Sequence, residues 1–571
     1  MTRGREMKLA DDHVSLLLSR RRLLMGGGAM AALAACSKTS KGVETAAASA
    51  DPNASGTIVA TQHGKIHGVL DDGVFEFRGV RYAQPPVGPL RFQAPKALEP
   101  WTGEQAADQY GQPAVQLRSA GSAGAATYPG EVGAAMAEAY KPPDNSKPEG
   151  DEDCLVLNVY TQKTGPSAGA TRPVMVWIHG GGFSYGQAAL NIYRGHNLAK
   201  NHDVVFVGLN HRLNVFGYLG LDSAEVPGFA GSANAGQLDL IAALEWVRDN
   251  IAQFGGDPGN VTIFGQSGGG AKVSTLMAMP AAKGLFHRAI IQSGAGLRAG
   301  TKENAVKTAT AYLMKLGVSS EDAAAKLQTI PAADLLKTAA DMGGNLFRPS
   351  IDNANLTRHP FDPDAPEQSA DIPVMIGFTK DERTLYYIGD PAWPKTTDKQ
   401  VLDAAERVFP KKGKTLIAAF RKQFPDYEPK YLLMQVLGTV NSLRSHHTLA
   451  SRKAAQPAGV FAYVFAHELP PDNYVLKSPH TSEIPYIMDN VKEAPLFAGS
   501  ADKDLAMGKL MSAVWVKFAA TGDPNGAEGL PAWPKFEAAS RPTMFFREQS
   551  EVVNNPYPEV WKLIQASPRS N

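Results

Sequence analysis

The 571-residue chain carries only two cysteines, Cys36 and Cys154, which excludes a disulfide scaffold. It also lacks an excess of either charge. Its 57 basic residues face 56 acidic ones, for a net charge of +1, so the basic footprint of a nucleic-acid-binding domain is absent. Glycine (55) and proline (40) stay well below low-complexity levels. Hydrophobic residues at 43% and charged residues at 20% exclude a largely disordered chain. No internal repeat is visible. What is present is length: enough for several domains, or for one large enzyme domain with insertions.

The first 35 residues read as targeting rather than fold. Six basic residues (Arg3, Arg5, Lys8, Arg20, Arg21, Arg22) precede the uncharged small-residue stretch 26–35. That pattern describes an export signal, and the stretch is too short to span a bilayer. Ser19-Arg20-Arg21-Arg22-Leu23-Leu24 resembles a twin-arginine signal, and Leu33-Ala34-Ala35-Cys36 resembles a lipoprotein cleavage box. Cys36 is therefore a candidate lipidation site, and the expected destination is the periplasm or cell surface. Residues 36–55 read as a flexible tether and 56–571 as a single domain.

In that domain, 57–61, 65–70 and 74–82 read as short antiparallel strands separated by Gly and Asp turns. Residues 112–150 show no sustained period and read as a surface excursion. Runs at 174–178, 204–209, 261–264, 289–291, 374–376 and 460–465 are apolar without polar alternation. Such runs suit a parallel sheet covered on both faces. Leu240, Leu244, Val247, Ile251 and Phe254 form one helical stripe, stopped by Gly255-Gly256-Asp257-Pro258. Alternating strands and helices predict an α/β doubly wound architecture.

Three places carry chemistry. Gly265-Gln266-Ser267-Gly268-Gly269 matches G-x-S-x-G, a weak signal alone because chance predicts about 0.3 matches in a chain of this composition. A second match, Gly165-Pro166-Ser167-Ala168-Gly169, lies in a loop-like stretch. The first follows the apolar strand VTIF and precedes a segment, 271–279, that reads as helix before Pro280. A strained strand–serine–helix turn needs small neighbours, and the helix N-terminus favours negative charge beside the hydroxyl. Ser267 is thus the candidate nucleophile. His179-Gly180-Gly181-Gly182-Phe183 follows the strand VMVWI and presents backbone N–H groups suited to an oxyanion. The third requirement is a base with an orienting acid. His287, His359, His446, His447, His467 and His480 follow the serine. Asp381-Glu382 follows the strand PVMIG, where open α/β sheets keep their sites. Spacing alone leaves Asp381 against Glu382, and His467 against His480, open.

Beyond these motifs the chain resembles the type-B carboxylesterases, the α/β-hydrolase family that includes cholinesterases and many bacterial esterases. The resemblance runs from about residue 57 to 547. It is carried by Phe77–Gly88 with Leu90-Arg91-Phe92, by Glu152–Asn158, by the HGGGF segment, by Asn210–Gly217, by Phe254–Ser267 and by Thr521–Asn525. It implies a mostly parallel central sheet with helices on both faces, antiparallel N-terminal strands and loop insertions. It makes Ser267 the nucleophile, Glu382 the acid and, through His480-Thr-Ser-Glu483-Ile-Pro-Tyr486, His480 the base. Gly181, Gly182 and Gly268 become the oxyanion hole, and Arg91 with Glu152 a buried structural ion pair. The implied reaction is hydrolysis of a small-molecule carboxylic ester, with no metal, no organic cofactor and no nucleic-acid partner. Carbamate, amide or lactone cleavage by the same residues is the alternative, as is a non-catalytic binding module.

Four departures from the family pattern stand out. Gln266 replaces the usual Glu, which argues against a cationic substrate. Gly268 replaces Ala and is expected to loosen the elbow slightly. Arg383 replaces Gly and is expected to turn outward from Glu382. Ala114 stands near where a cysteine is usual, leaving Cys154 as an unpaired, buried thiol.

Overall fold

The computed structural model describes residues 56–117, 128, 130–165, 171–470 and 475–567. The expected export signal, Cys36, the expected tether and residues 166–169 of the second G-x-S-x-G match lie outside them. All described residues fall in one compact unit, and none of their helices is long and apolar enough to cross a membrane.

Numbered along the chain, the strands are β1 (Ile58–Ala60), β2 (Lys65–His67), β3 (Val69–Asp71), β4 (Val74–Arg81), β5 (Glu104–Ala106), β6 (Val156–Thr161), β7 (Arg172–Ile178), β8 (Val205–Leu209), β9 (Gly256–Gln266), β10 (Arg288–Gln292), β11 (Val374–Thr379), β12 (Val460–Phe465), β13 (Thr543–Phe546) and β14 (Glu551–Val553). An 11-stranded sheet has the order β14-β13-β12-β11-β10-β9-β7-β8-β6-β4-β3. Its centre, from β8 through β7, β9, β10, β11 and β12 to β13, is parallel. The N-terminal edge β3-β4-β6-β8 is antiparallel.

The apolar runs are continuous because both faces are covered. On β7, Val174, Val176 and Ile178 point into a core closed by the helix Ala235–Asn250, whose Leu240, Leu244 and Val247 are buried. Met175 and Trp177 point to the opposite core, closed by the helix Asp502–Thr521 through Met511, Trp515 and Phe518. Each such side chain contributes about 1.5–3 kcal/mol of burial free energy. After Asn250 the stripe continues in a tighter turn, Ile251–Phe254, which Gly255 ends in the left-handed region at φ 73°.

Two expectations are corrected. Residues 65–70 are not one strand: at Gly68 the chain leaves β2, which pairs with β1 and β5 in a 3-stranded sheet, and enters β3 of the main sheet. A Cβ on Gly68 would meet the Glu76 carbonyl at 2.4 Å, so the crossing needs glycine. The excursion 112–150 contains a helix, Gly130–Ala139, with Val132, Ala135, Met136 and Ala139 buried. Its apolar face is built largely from alanine, which makes a faint stripe in sequence. Arg91 grips Glu152 through Nε (2.6 Å to Oε2) and also donates to the carbonyls of Leu327 and Ile330. Cys154 is buried and unpaired, in the same core as Ala114.

Candidate active site

The parallel strands all end on one side, and β7, β9 and β11 each deliver part of the site there. β9 stops at Gln266, and Ser267 takes φ 58°, ψ −122° before the helix Gly268–Leu276 begins. A non-glycine residue at that φ is strained and is held there by its surroundings. The Ser267 N–H donates to the Gln292 carbonyl of β10 (2.7 Å), and its own carbonyl accepts from Ala271. The helix starts three residues earlier than the sequence suggests, so three successive glycines form its first turn. Packing gives the reason: a Cβ on Gly269 would lie 2.0 Å from the Ile178 carbonyl, and one on Gly268 would lie 2.1 Å from the Gly182 carbonyl. Far from loosening the elbow, Gly268 makes room for the neighbouring loop. Ser267 itself is half-buried.

That loop follows β7. Gly181 has φ +91°, and a Cβ there would meet the Tyr185 carbonyl at 2.1 Å. Gly182 has φ +62°. The Gly181 carbonyl is tied down by the N–H groups of Ser184 and Tyr185, each at 3.2 Å. The N–H groups of Gly181 and Gly182 have no acceptor among the described residues. Behind the loop, Asn214 donates its N–H to the Phe183 carbonyl (2.6 Å).

β11 leads to Asp381 and Glu382. Glu382 accepts from the Thr379 N–H (3.0 Å) through one oxygen, and its other oxygen makes a short contact with His480 Nδ1. Burial pushes the Glu382 carboxyl up, but the His480 ring and these hydrogen bonds outweigh it and hold the pKa below the ordinary range. Asp381 does other work. It accepts from Tyr427 (3.0 Å) and from Gln435 (2.9 Å), knitting the helical insertion between β11 and β12 to the sheet. His467 is bound to Asp504 (Nε2–Oδ1 2.8 Å), and its partner also accepts the Ala501 N–H at the start of the helix Asp502–Thr521.

His287 and His447 are likewise engaged or enclosed elsewhere, and His446 is buried near Glu382 and His480. His287 accepts from the Val261 N–H, and burial pushes His446 and His447 down to about 4 and about 3. Arg383 turns from Glu382 and lies over the Tyr386 ring, 5.7 Å from its centroid.

No hydrogen bond joins the Ser267 hydroxyl to His480. The Gln266 side-chain amide, from the residue before the serine, lies 3.2 Å from His480 Nε2. This contact places the ring at the end of β9. Four further residues at the site have no role assigned from the sequence. Lys272, one helical turn after the serine, is fully buried beneath the glycine loop. Glu483 is also fully buried. Its pKa rises to about 7, first through burial and then through the Glu382 charge. Tyr386 sits 5.5 Å from the His480 ring and remains 50% exposed, and Tyr185, beside the glycine loop, is 45% exposed. Their water-accessible faces mark an open approach to the site.

Asp71, Glu76 and His196 bring three ligand atoms within 4.8 Å of one another. Glu76, however, is already paired with Arg78 (2.5 Å) and Arg194 (3.5 Å). Two guanidinium groups at that carboxylate oppose a cation, so the cluster is better described as an ion-pair network.

Comparison with known proteins is decisive for the family. The Carboxylesterase family model matches residues 55–562. The chain belongs to the carboxylesterase family. Among carboxylesterase relatives, the para-nitrobenzyl esterase of Bacillus subtilis is 35% identical over 515 residues, covering 88% of this chain and 97% of that protein. The phenmedipham hydrolase of Pseudarthrobacter oxydans is 32% identical over 497 residues, covering 84% and 93%. A solved carboxylesterase structure, from Geobacillus stearothermophilus, superposes with a TM-score of 0.75 at 34% identity, covering 89% of this chain and 99% of that one. The sheet described above is therefore an α/β-hydrolase sheet, and this carboxylesterase is a carboxylic ester hydrolase.

Proposed function

We propose that this carboxylesterase cleaves uncharged esters with Ser267 as nucleophile, His480 as general base and acid, and Glu382 as the orienting carboxylate. The observation that carries the reading is the contact between Glu382 and His480 Nδ1, on a ring whose Nε2 is met by the side-chain amide of Gln266, the residue before Ser267. With Nδ1–H donated to Glu382, the lone pair of Nε2 is free to take the serine proton once the amide yields its place. Glu382 then stabilises the imidazolium that forms.

Attack by the Ser267 oxygen converts the ester carbonyl to a tetrahedral oxyanion. The N–H groups of Gly181, Gly182 and Gly268 receive it, each contributing about 3–4 kcal/mol at the transition state. His480 passes its proton to the departing alcohol, leaving an acyl-enzyme. Water, deprotonated by the same ring, then releases the acid. A neutral substrate is favoured because Gln266 supplies no negative charge at the serine, and the accessible faces of Tyr185 and Tyr386 suit an aromatic or apolar group. The side-chain geometry alone serves a carbamate or lactone too, and kcat/KM ratios across matched substrates separate these from esters.

Ser267→Ala is expected to abolish hydrolysis of p-nitrophenyl acetate and labelling by an organophosphonate, with the melting temperature nearly unchanged. Retained turnover in that variant sinks the nucleophile assignment, and failure of the wild-type enzyme to label favours a non-catalytic binding module. We further propose that residues 1–35 direct export and that Cys36 is acylated, from the sequence pattern alone. Mass spectrometry of the mature N-terminus tests both.

A further inference from the structure

Lys272 is a buried lysine with no acidic partner. Its side chain is wholly inaccessible, and no carboxylate pairs with it among the described residues. It belongs to the helix that starts after Ser267, and helical side chains lean back toward the N-terminus of their own helix. A cation there opposes the helix dipole as well as being desolvated. What the ammonium does contact is the glycine loop. It donates to the His179 carbonyl at 3.2 Å and to the Gly182 carbonyl at 2.9 Å, and it faces the Phe183 ring at 5.5 Å.

The order of these peptide units matters. The Gly181 and Gly182 N–H groups belong to the peptides 180–181 and 181–182. Lys272 holds the carbonyls of the peptides on either side, 179–180 and 182–183. From this bracketing we infer that Lys272 is a positioning residue for ester hydrolysis, clamping the oxyanion loop from behind and adding its positive charge beneath the donors. The inference rests on the assignment of Gly181 and Gly182 as oxyanion donors.

The surroundings leave the charge uncompensated until an oxyanion forms. The ionisable neighbours facing Lys272 are His179, at the end of β7, and His211, after β8, stacked on each other with centroids 4.8 Å apart. Burial first, and the Lys272 charge second, push His179 down to about 3 and His211 well below the ordinary imidazole range, so both rings are neutral. From the helix Ala235–Asn250, Gln237 reaches only the Lys272 backbone carbonyl. Burial lowers the Lys272 pKa to about 7, which brings its loss of charge into the range of a kinetic pH profile. Turnover is expected to fall on the alkaline side as Lys272 loses its proton.

The test uses the purified enzyme with p-nitrophenyl acetate, reading kcat per phosphonate-titrated site. Lys272→Met is expected to lower kcat about 10- to 100-fold with KM within about threefold, and to remove the alkaline fall of the kcat profile. A role in stability alone lowers the melting temperature and the number of titrated sites while leaving kcat per site within twofold, and that result overturns the inference. Lys272→Arg, which keeps a cation of higher pKa, is expected to move the alkaline fall up by more than one pH unit. A fall at the wild-type pH in that variant also overturns it. Should neither variant fold, a wild-type kcat that stays flat between about pH 7 and pH 10 has the same consequence. Failure here is distinct from failure of the nucleophile assignment, because Ser267→Ala remains inactive in the first case and active in the second.

Discussion

Gly268→Ala restores the residue that the family pattern puts after the nucleophile, and in this molecule it is expected to harm the enzyme. The added Cβ would sit 2.1 Å from the Gly182 carbonyl oxygen, where real contacts do not fall below 3.0 Å. Closing that gap requires the loop to retreat by about 1 Å, since the obstacle is backbone with no rotamer to change. Gly182 carries one of the proposed oxyanion donors, and a misplacement of about 1 Å at a catalytic group costs up to about 10²-fold in rate. A 10- to 100-fold loss of kcat is expected, equal to about 1.4–2.7 kcal/mol of transition-state stabilisation. Folding moves the other way, because alanine is favoured over glycine in a helix by about 1 kcal/mol. Paired measurements of kcat and of the urea midpoint should therefore diverge, the first falling while the second holds or rises. A kcat within twofold of wild type, with the midpoint unchanged, refutes the idea that the loop and the elbow are in hard contact.

Other outcomes follow from the same geometry. Glu382→Gln keeps the shape of the acid but cannot fix the Nδ1–H tautomer, so kcat is expected to fall about 10³- to 10⁴-fold with little change in KM. Asp504→Ala strips His467 of its acceptor and removes the contact with the Ala501 N–H, which should cost roughly 2–4 kcal/mol in urea unfolding while kcat per titrated site stays within threefold. Glu483 favours its protonated form in the fold, with a pKa of about 7 against 4.5 when unfolded. Its contribution to stability is therefore complete below about pH 4.5 and lost as the pH rises through 7, amounting to about 3 kcal/mol. Glu483→Gln should flatten the fall in urea stability between pH 5 and pH 8, and an unaltered pH dependence rules this out.

The parallel centre of the sheet was legible because strands covered on both faces need no polar alternation. The neighbouring strand β6 escaped notice although all its residues are buried. Its sequence, VLNVYT, is interrupted by Asn158 and Thr161, whose side chains are satisfied by the Gly79 N–H and the Phe254 carbonyl. Nothing local reveals such partners. β13 is only four residues long, and the break at Gly68 depends on a close approach from Glu76 that no short window contains.

At the site, the elbow and the glycine loop declare themselves because their conformations demand particular residues at fixed spacing. The choice between Asp381 and Glu382, or between His467 and His480, depends on how the helices between β11 and β12 and the helix after β12 pack. Asp381 is taken up by Tyr427 and Gln435, and His467 by Asp504. Family resemblance supplied what spacing could not. Lys272 gave no signal by either route, since a lysine in the first turns of a helix ordinarily faces water.

The lone buried thiol has a further consequence. With Cys154 sealed in the core, and Arg91 and Glu152 making the nearby long-range tie, no covalent bridge among the described residues has to form before the domain is complete. Its native state is thus indifferent to thiol reductants such as glutathione. The catalytic domain can mature in a reducing cytosol as readily as outside it, and dithiothreitol should leave both its melting point and its turnover where they were.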